Sequence, residues 1–240
     1  MRKGSIRLLC VFILLSQSAH TQVIISLLFG DKLNTGKVEF GLDGGFTLSS
    51  LTGNPGSYSR TGFNLGFYFD IKTKGPCMIH TGVIVKSTMG ARGIRPYSVN
   101  DATLDSIFQT GQVERELGYF NVPVEIKYMF PNRIYVEGGF MMGLMISAHD
   151  VFQQKIVSSN DLTYTLNIRD HLHRFDIGPI AGIGYRLMSG YGLNLGIRYY
   201  YGLTNVSNDK MYPVQYNRSL YMVIGIPVGA GKAKKKAEGS

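Results

Sequence analysis

Tryptophan is absent from the 240 residues, and cysteine occurs only at Cys10 and Cys77. If Cys10 leaves with an N-terminal segment, Cys77 has no partner for an internal disulfide, which excludes a small cross-linked secreted scaffold. Beyond the first fifteen residues no apolar run approaches the roughly 20 residues of a membrane-crossing helix, which excludes a helical membrane protein. Clustered basic residues are also missing from the body of the chain. Of the formal net charge of +9, +3 belongs to Arg2, Lys3 and Arg7 and +3 to residues 229–240, leaving +3 spread without blocks. A nucleic-acid surface needs Lys and Arg gathered on one face, so no nucleic-acid partner is expected.

Glycine, in contrast, is plentiful: 30 residues, against an average usage of about 7%. So are Tyr, with 15, and Phe, with 13. The N-terminus carries a basic stretch, then the apolar Leu8 to Leu15, then Ser16, Ser18, Ala19 and Thr21. This is the layout of a secretory signal peptide over residues 1–21, with Ala19-His20-Thr21 before Gln22 as the cleavage site. Cys10 does not read as a lipoprotein cysteine, because Val11 to Leu15 continue the apolar run beyond it.

Strict alternation dominates the chain from Val38 onward. Phe63, Leu65, Phe67, Phe69 and Ile71 share one face of a strand, with Asn64, Gly66, Tyr68 and Asp70 on the other. Val38, Phe40, Leu42, Phe46 and Leu48 oppose Glu39, Gly41, Asp43, Gly45 and Thr47. Val122, Val124, Ile126, Tyr128 and Phe130 oppose Asn121, Glu125 and Lys127, and Ile134, Val136, Phe140, Met142 and Leu144 oppose Tyr135, Glu137, Gly139 and Gly143. Phe175, Ile177, Ala181, Ile183 and Tyr185 oppose Arg174, Asp176, Gly178, Gly182 and Arg186. Leu193, Leu195, Ile197 and Tyr199 oppose Asn194, Gly196 and Arg198, and Leu220, Met222, Ile224 and Ile226 oppose Ser219, Tyr221 and Gly225. The eighth stretch, Met78 to Met89, is irregular, because Ile84 falls among His80, Gly82 and Lys86.

The links between strands are short at about 73–76, 131–132 and 188–190 and longer at about 49–60, 90–115, 147–171 and 205–215. Short and long connections in strict alternation are the pattern of tight periplasmic turns and longer external loops. The fold expected is all-β: an eight-stranded antiparallel up-and-down transmembrane β-barrel over residues 36–228, in a bacterial outer membrane, with both termini periplasmic. Tyr128 and Phe130, Tyr185 and Tyr191, Tyr199 to Tyr201 and Tyr216 lie near the turns and loops, where interfacial aromatic girdles sit. Residues 22–35 form a short apolar segment in need of burial, and 229–240 a basic disordered tail.

Several segments resemble one known family. Gly41-Leu42-Asp43-Gly44-Gly45-Phe46-Thr47-Leu48-Ser49 resembles the glycine-rich first strand of the PorT-like outer-membrane β-barrel proteins of Bacteroidota, and Tyr119 to Tyr128 is similar to their fourth. Tyr135-Val136-Glu137-Gly138-Gly139 with Gly143-Leu144 is similar to the fifth, and Gly178 with Gly182-Ile183-Gly184-Tyr185 to the sixth. The resemblance spans residues 36–228 and implies an eight-stranded OmpX/OmpA-like barrel in the outer membrane. It implies no catalytic mechanism, and no motif separates a secretion accessory from a general barrel.

The inward faces assemble a lumen charge network of Glu39, Asp43, Asp70, Lys86, Glu125, Lys127, Glu137, Arg174, Asp176, Arg186 and Arg198. Eight strands enclose a lumen that side chains fill, where opposite charges must pair. The lipid-facing set is Phe63, Leu65, Phe67, Phe69, Val122, Val124, Ile126, Leu193, Leu195, Ile197, Leu220, Met222, Ile224 and Ile226. The function expected is a non-enzymatic structural or interaction component, partnered by outer-membrane lipid and by an envelope or secretion protein. The alternative is a narrow or gated small-solute or ion channel lined by the same charges. An enzyme or metal centre would require His149, His171 and His173 to converge on one pocket; no catalytic, cofactor-binding or metal residue is otherwise marked.

Overall fold

The computed structural model describes residues 37–155, 162–188, 192–208 and 213–228. Outside the described residues lie the expected signal peptide, the apolar segment 22–35, the tail from 229 and Tyr191. The strands are β1 (Val38–Leu51), β2 (Tyr58–Lys72), β3 (Cys77–Ile94), β4 (Gln112–Met129), β5 (Ile134–Gln154), β6 (Leu162–Asn167), β7 (Phe175–Arg186), β8 (Asn194–Tyr201) and β9 (Asn217–Pro227). A seven-residue helix, α1 (Ala102–Phe108), precedes β4.

Eight of these close a ring in the order β4-β3-β2-β1-β9-β8-β7-β5, completed by β4 against β5, and every pairing is antiparallel. Closure runs through β1 and β9, from Gly41 opposite Pro227 to Leu51 opposite Asn217. A closed ring leaves no open strand edge, so the ladders pair the backbone, bulges apart, where no water is present to do so. No helix among the described residues is long and apolar enough to cross a membrane.

Alternation sets which face is which. On β4, Ile126 is 67% exposed, while its neighbours Glu125 and Lys127 are each 1% exposed. The charged face is therefore the buried one, and the apolar face looks out. Inward glycines make room for large neighbours: a Cβ on Gly41 would run into the Tyr68 ring, and one on Gly182 would lie 2.8 Å from Arg198 Cγ.

Two features depart from the sequence-based expectation. The strands run further into the long connections, with β3 reaching Ile94, β4 starting at Gln112 and β5 reaching Gln154. The connection after β5 also contains β6, which pairs with the top of β5 from His149 opposite Asn167 to Gln154 opposite Leu162. The second departure is a bulge in β3. Leu65 pairs with Lys86 but Gly66 with Ile84, and on the other side Ile84 pairs with Asn121 and Ser87 with Tyr119. One extra residue, Val85, thus sits against both neighbouring strands and reverses the facing of everything after it.

The strand bounds leave connections 52–57, 95–111, 155–174 and 202–216 at one end of the ring, the loop end. At the other, the turn end, lie the connections 73–76, 130–133 and 187–193, beside the start of β1 and the finish of β9.

Candidate functional site

The lumen is the place where this fold gathers chemistry. Its contents fall into three storeys. Nearest the turns, Arg198 from β8 donates from Nε to Glu137 Oε1 at 2.5 Å, from Nη1 to Asp43 Oδ2 at 3.1 Å and from Nη2 to His80 Nε2 at 2.9 Å. His80 Nε2 accepts from Arg198, so the ring proton sits on Nδ1, which donates to Asp70 Oδ1 at 2.5 Å. Lys127 Nζ lies 2.9 Å from Asp70 Oδ2 and 3.6 Å from Glu137 Oε2, with its ammonium 4.5 Å from the centre of the Tyr135 ring. Arg186 grips Glu39 at 2.9 and 3.2 Å and donates to Asn194 Oδ1 at 2.8 Å. Tyr68 closes the cluster, donating to Glu39 Oε1 at 3.1 Å. Glu125 stands at its margin, Oε1 3.8 Å from Arg198 Nε.

The middle storey is neutral and aromatic apart from Asp176. Asn217 Nδ2 donates to Asp176 Oδ2 at 2.8 Å and to the Tyr119 hydroxyl at 3.1 Å. The Tyr221 hydroxyl meets Ser87 Oγ at 3.1 Å and accepts from Asn121 Nδ2 at 3.4 Å. Tyr119, Tyr200 and Tyr221 are fully buried, with Met89, Leu117, Met141 and Met145 packed in the same core.

At the loop end, Arg115 holds Asp150 through Nε at 2.8 Å and Nη2 at 2.6 Å, and donates from Nη1 to Gln215 Oε1 at 2.9 Å. Tyr97 donates to the same Asp150 at 2.7 Å. A cavity of about 550 Å³ opens above this pair, lined by Arg95, Tyr97, Leu166 and His171 among others. Beside it, Phe108 of α1 packs on Phe152, which also meets the Tyr97 and Tyr164 rings. Asp101 caps α1 by accepting from Thr103 N and Leu104 N. Asp105 accepts from Ser98 Oγ at 2.5 Å and Val99 N at 2.8 Å, and these bonds hold its carboxyl below the ordinary carboxylate range.

Glu39, Asp43, Asp70, Glu125, Lys127, Glu137, Asp176, Arg186 and Arg198 all lie buried inside the ring. Two residues expected there do not. Lys86 is exposed, because the Val85 bulge turns it outward and leaves Ile84 in the lumen. Arg174 precedes β7, its side chain 57% exposed and 4.0 Å from Asp170. Tyr200 also moves from the girdle to the lumen, whereas Tyr199 and Tyr201 stay exposed, with Arg218 stacked 3.4 Å from the centre of the Tyr201 ring. The expected outward residues Phe63, Val124, Ile126, Leu195, Ile197, Met222, Ile224 and Ile226 are exposed, and Leu65, Phe67, Phe69, Val122, Leu193 and Leu220 are half-buried.

Sequence reasoning missed His80, Arg115 and Asp150. His80 was signalled by its place two residues after Met78 on the inner face, opposite Asp70. Arg115 and Asp150 fall in stretches read as loops and were not signalled. The histidines do not converge: His149 lies against Glu116 across β4 and β5, whereas His171 lines the loop-end cavity. Among the described residues no group of three His, Cys, Asp or Glu is placed to hold a metal ion.

A family model for the outer membrane protein β-barrel domain matches residues 16–208. The chain belongs to this family. The membrane address follows from it, and the outward apolar face is the surface that meets lipid. No curated protein matches the chain. Among solved structures, Ail of Yersinia pestis is 12% identical, with 79% of this chain and 97% of that one covered and a TM-score of 0.40. Neisserial surface protein A is 12% identical over 79% of this chain and 96% of its own, also at 0.40. OprG of Pseudomonas aeruginosa is 10% identical over 80% and 95%, at 0.33.

Proposed function

We propose that this outer-membrane barrel is a non-enzymatic structural or interaction component whose lumen is sealed by side chains, and that it works through its loop-end surface. The observation that carries this reading is the lumen itself, crossed at three successive levels by the Arg198 cluster, the Tyr119–Tyr221 layer and Arg115, which links Asp150 to Gln215. An ordered, paired interior serves stability and register, and leaves recognition to the connections, which carry α1, β6 and an aromatic cluster. Resemblance to the PorT-like proteins supports a place among envelope or secretion accessories, with a protein of the cell envelope as partner. The turn end, where β1 starts and β9 finishes, is then periplasmic, the loop end external, and residues 1–21 an export signal.

Single-channel recording in planar bilayers tests the reading. The folded protein should insert without reproducible conductance steps; regular steps with ion selectivity would overturn it in favour of a narrow channel. External protease added to intact cells should cut within 155–174 and leave 73–76 untouched; the reverse pattern would invert the orientation.

A further inference from the structure

The outward position of Lys86 has a chemical consequence. On the outer wall, between β3 and β5, a pocket of about 390 Å³ is lined by Lys86, Thr88, Glu116, Ile146, Ser147 and His149, among others. Two irregularities create it. Val85 is the extra residue of β3, and Ile146 is the extra residue of β5, where Gly118 pairs with Ser147 but Tyr119 with Met145. The two bulges flank β4 at one height, and Gly118 between them contributes no side chain to fill the gap.

This pocket sits where the outer wall changes character. Below it the outward residues are apolar: Phe63 on β2, Val85 on β3, Phe120 on β4 and Leu144 on β5. Above it the wall turns polar: Arg92 and the largely buried Arg60 form ion pairs with Glu114, and Arg60 also with Glu116. From Ile79 to Lys86 is seven residues along β3. At about 3.3 Å per residue and a strand tilt of about 40°, this places the Lys86 backbone about 18 Å up an apolar band about 25 Å tall. An ammonium on a four-carbon stem closes the remaining distance by snorkelling to the headgroup level. Glu116 is engaged by Arg60, and Lys86 makes no ion pair with the described residues. Among the described residues, then, no carboxylate neutralises it, and an anion from outside them can.

The geometry points to a binding site for the phosphate of an anionic lipid in the loop-end leaflet. The Lys86 ammonium supplies the charge, the Thr88 and Ser147 hydroxyls and the His149 imidazole supply hydrogen-bonding groups, and the acyl chains lie down the wall over Phe120, Ile146 and Leu144. The site does not depend on whether the lumen conducts.

Native mass spectrometry of the full chain in detergent tests it, with phosphatidylglycerol or phosphatidylcholine added. Wild type should retain phosphatidylglycerol preferentially, and Lys86→Gln should lower that retention about fivefold, the worth of one surface lysine toward an anionic membrane. Lys74→Gln, at an exposed lysine of the turn end, should behave as wild type. Equal retention by Lys86→Gln and wild type, or no preference for the anionic lipid, would overturn the site. Release of the lipid by millimolar inorganic phosphate would make the ligand a free anion instead, which also overturns it. A second measurement needs no variant: acylation of Lys86 by an amine-reactive reagent should slow relative to Lys74 in phosphatidylglycerol vesicles but not in phosphatidylcholine vesicles. An unchanged ratio counts against the proposal.

Discussion

At the scale of single residues, the barrel inverts the usual arithmetic of burial. Arg198 is enclosed by Glu137, Asp43 and Glu125, with its remaining nitrogen, Nη2, on His80. Removing one partner of such a cluster leaves uncompensated charge in a dry interior, which costs about 3–5 kcal/mol, far more than an exposed pair. Arg198→Met should therefore lower the temperature at which the folded barrel loses its compact gel mobility. Arg174→Met, outside the ring, should not. On the other face the sign of the rule reverses. Ile224 looks outward near the middle of β9, and Ile224→Lys should cost about 2–4 kcal/mol by setting a charge against acyl chains. Phe67→Asp, on the outward face of β2, should impair insertion in the same way. Insertion of either variant at wild-type yield and heat resistance would reverse the assignment of inside and outside.

At the scale of elements, alternation in the sequence carries seven of the eight ring strands and nine of the eleven charges expected in the lumen, because a period of two places a side chain without reference to anything distant. The failures mark where a second influence enters. Lys86 shares the parity of His80 and Gly82, and only the ladder, where Val85 faces no partner of its own, reveals that the facing has changed. Arg174 has the parity of Asp176, but the ring no longer surrounds it, since β7 begins only at Phe175, opposite Leu144. Arg115 and Asp150 were hidden because composition marks the loop-end extensions of β3 to β5 as loops. A bulge can be tested by deletion. Removing Val85 restores one-to-one pairing with both β2 and β4 and keeps Ile84 and Ser87 inward, so the variant should still fold and insert. Removing Val124 from the regular ladder of β4 must turn either Glu125 and Lys127 or Asn121 and Tyr119 onto lipid, and that variant should not fold. A loss of folding in both deletions would show that the bulge is required for its twist. The loop-end connection responds to pH instead. With the Asp105 carboxyl held below its ordinary range, the stabilisation it gives to residues 98–105 is present above that range and is lost as pH falls through the folded value. The protection factor of the Val99 amide, its exchange rate taken relative to the intrinsic rate at the same pH, should fall over that acidic window in wild type, and should be low and unchanging there in Asp105→Ala.

For the whole molecule, the decisive property is that the obstructions in the lumen lie in series. An ion crossing from the turn end meets the Arg198–Glu137–Asp43 cluster, then the Tyr119, Tyr200 and Tyr221 layer, then the Arg115–Asp150 pair beneath the loop-end cavity. Each storey reaches across the ring: Arg198 of β8 reaches β1, β3 and β5, Asn217 of β9 reaches β4 and β7, and Arg115 of β4 reaches Gln215, just before β9. Loss of one side chain therefore opens one storey and leaves the other two bridged. Tyr221→Ala and Arg198→Met, each reconstituted as folded protein, should both remain silent in planar bilayers. Conductance steps from either single variant would mean that one storey alone seals the barrel, and the interior would then have to be read as a gate resting on that residue.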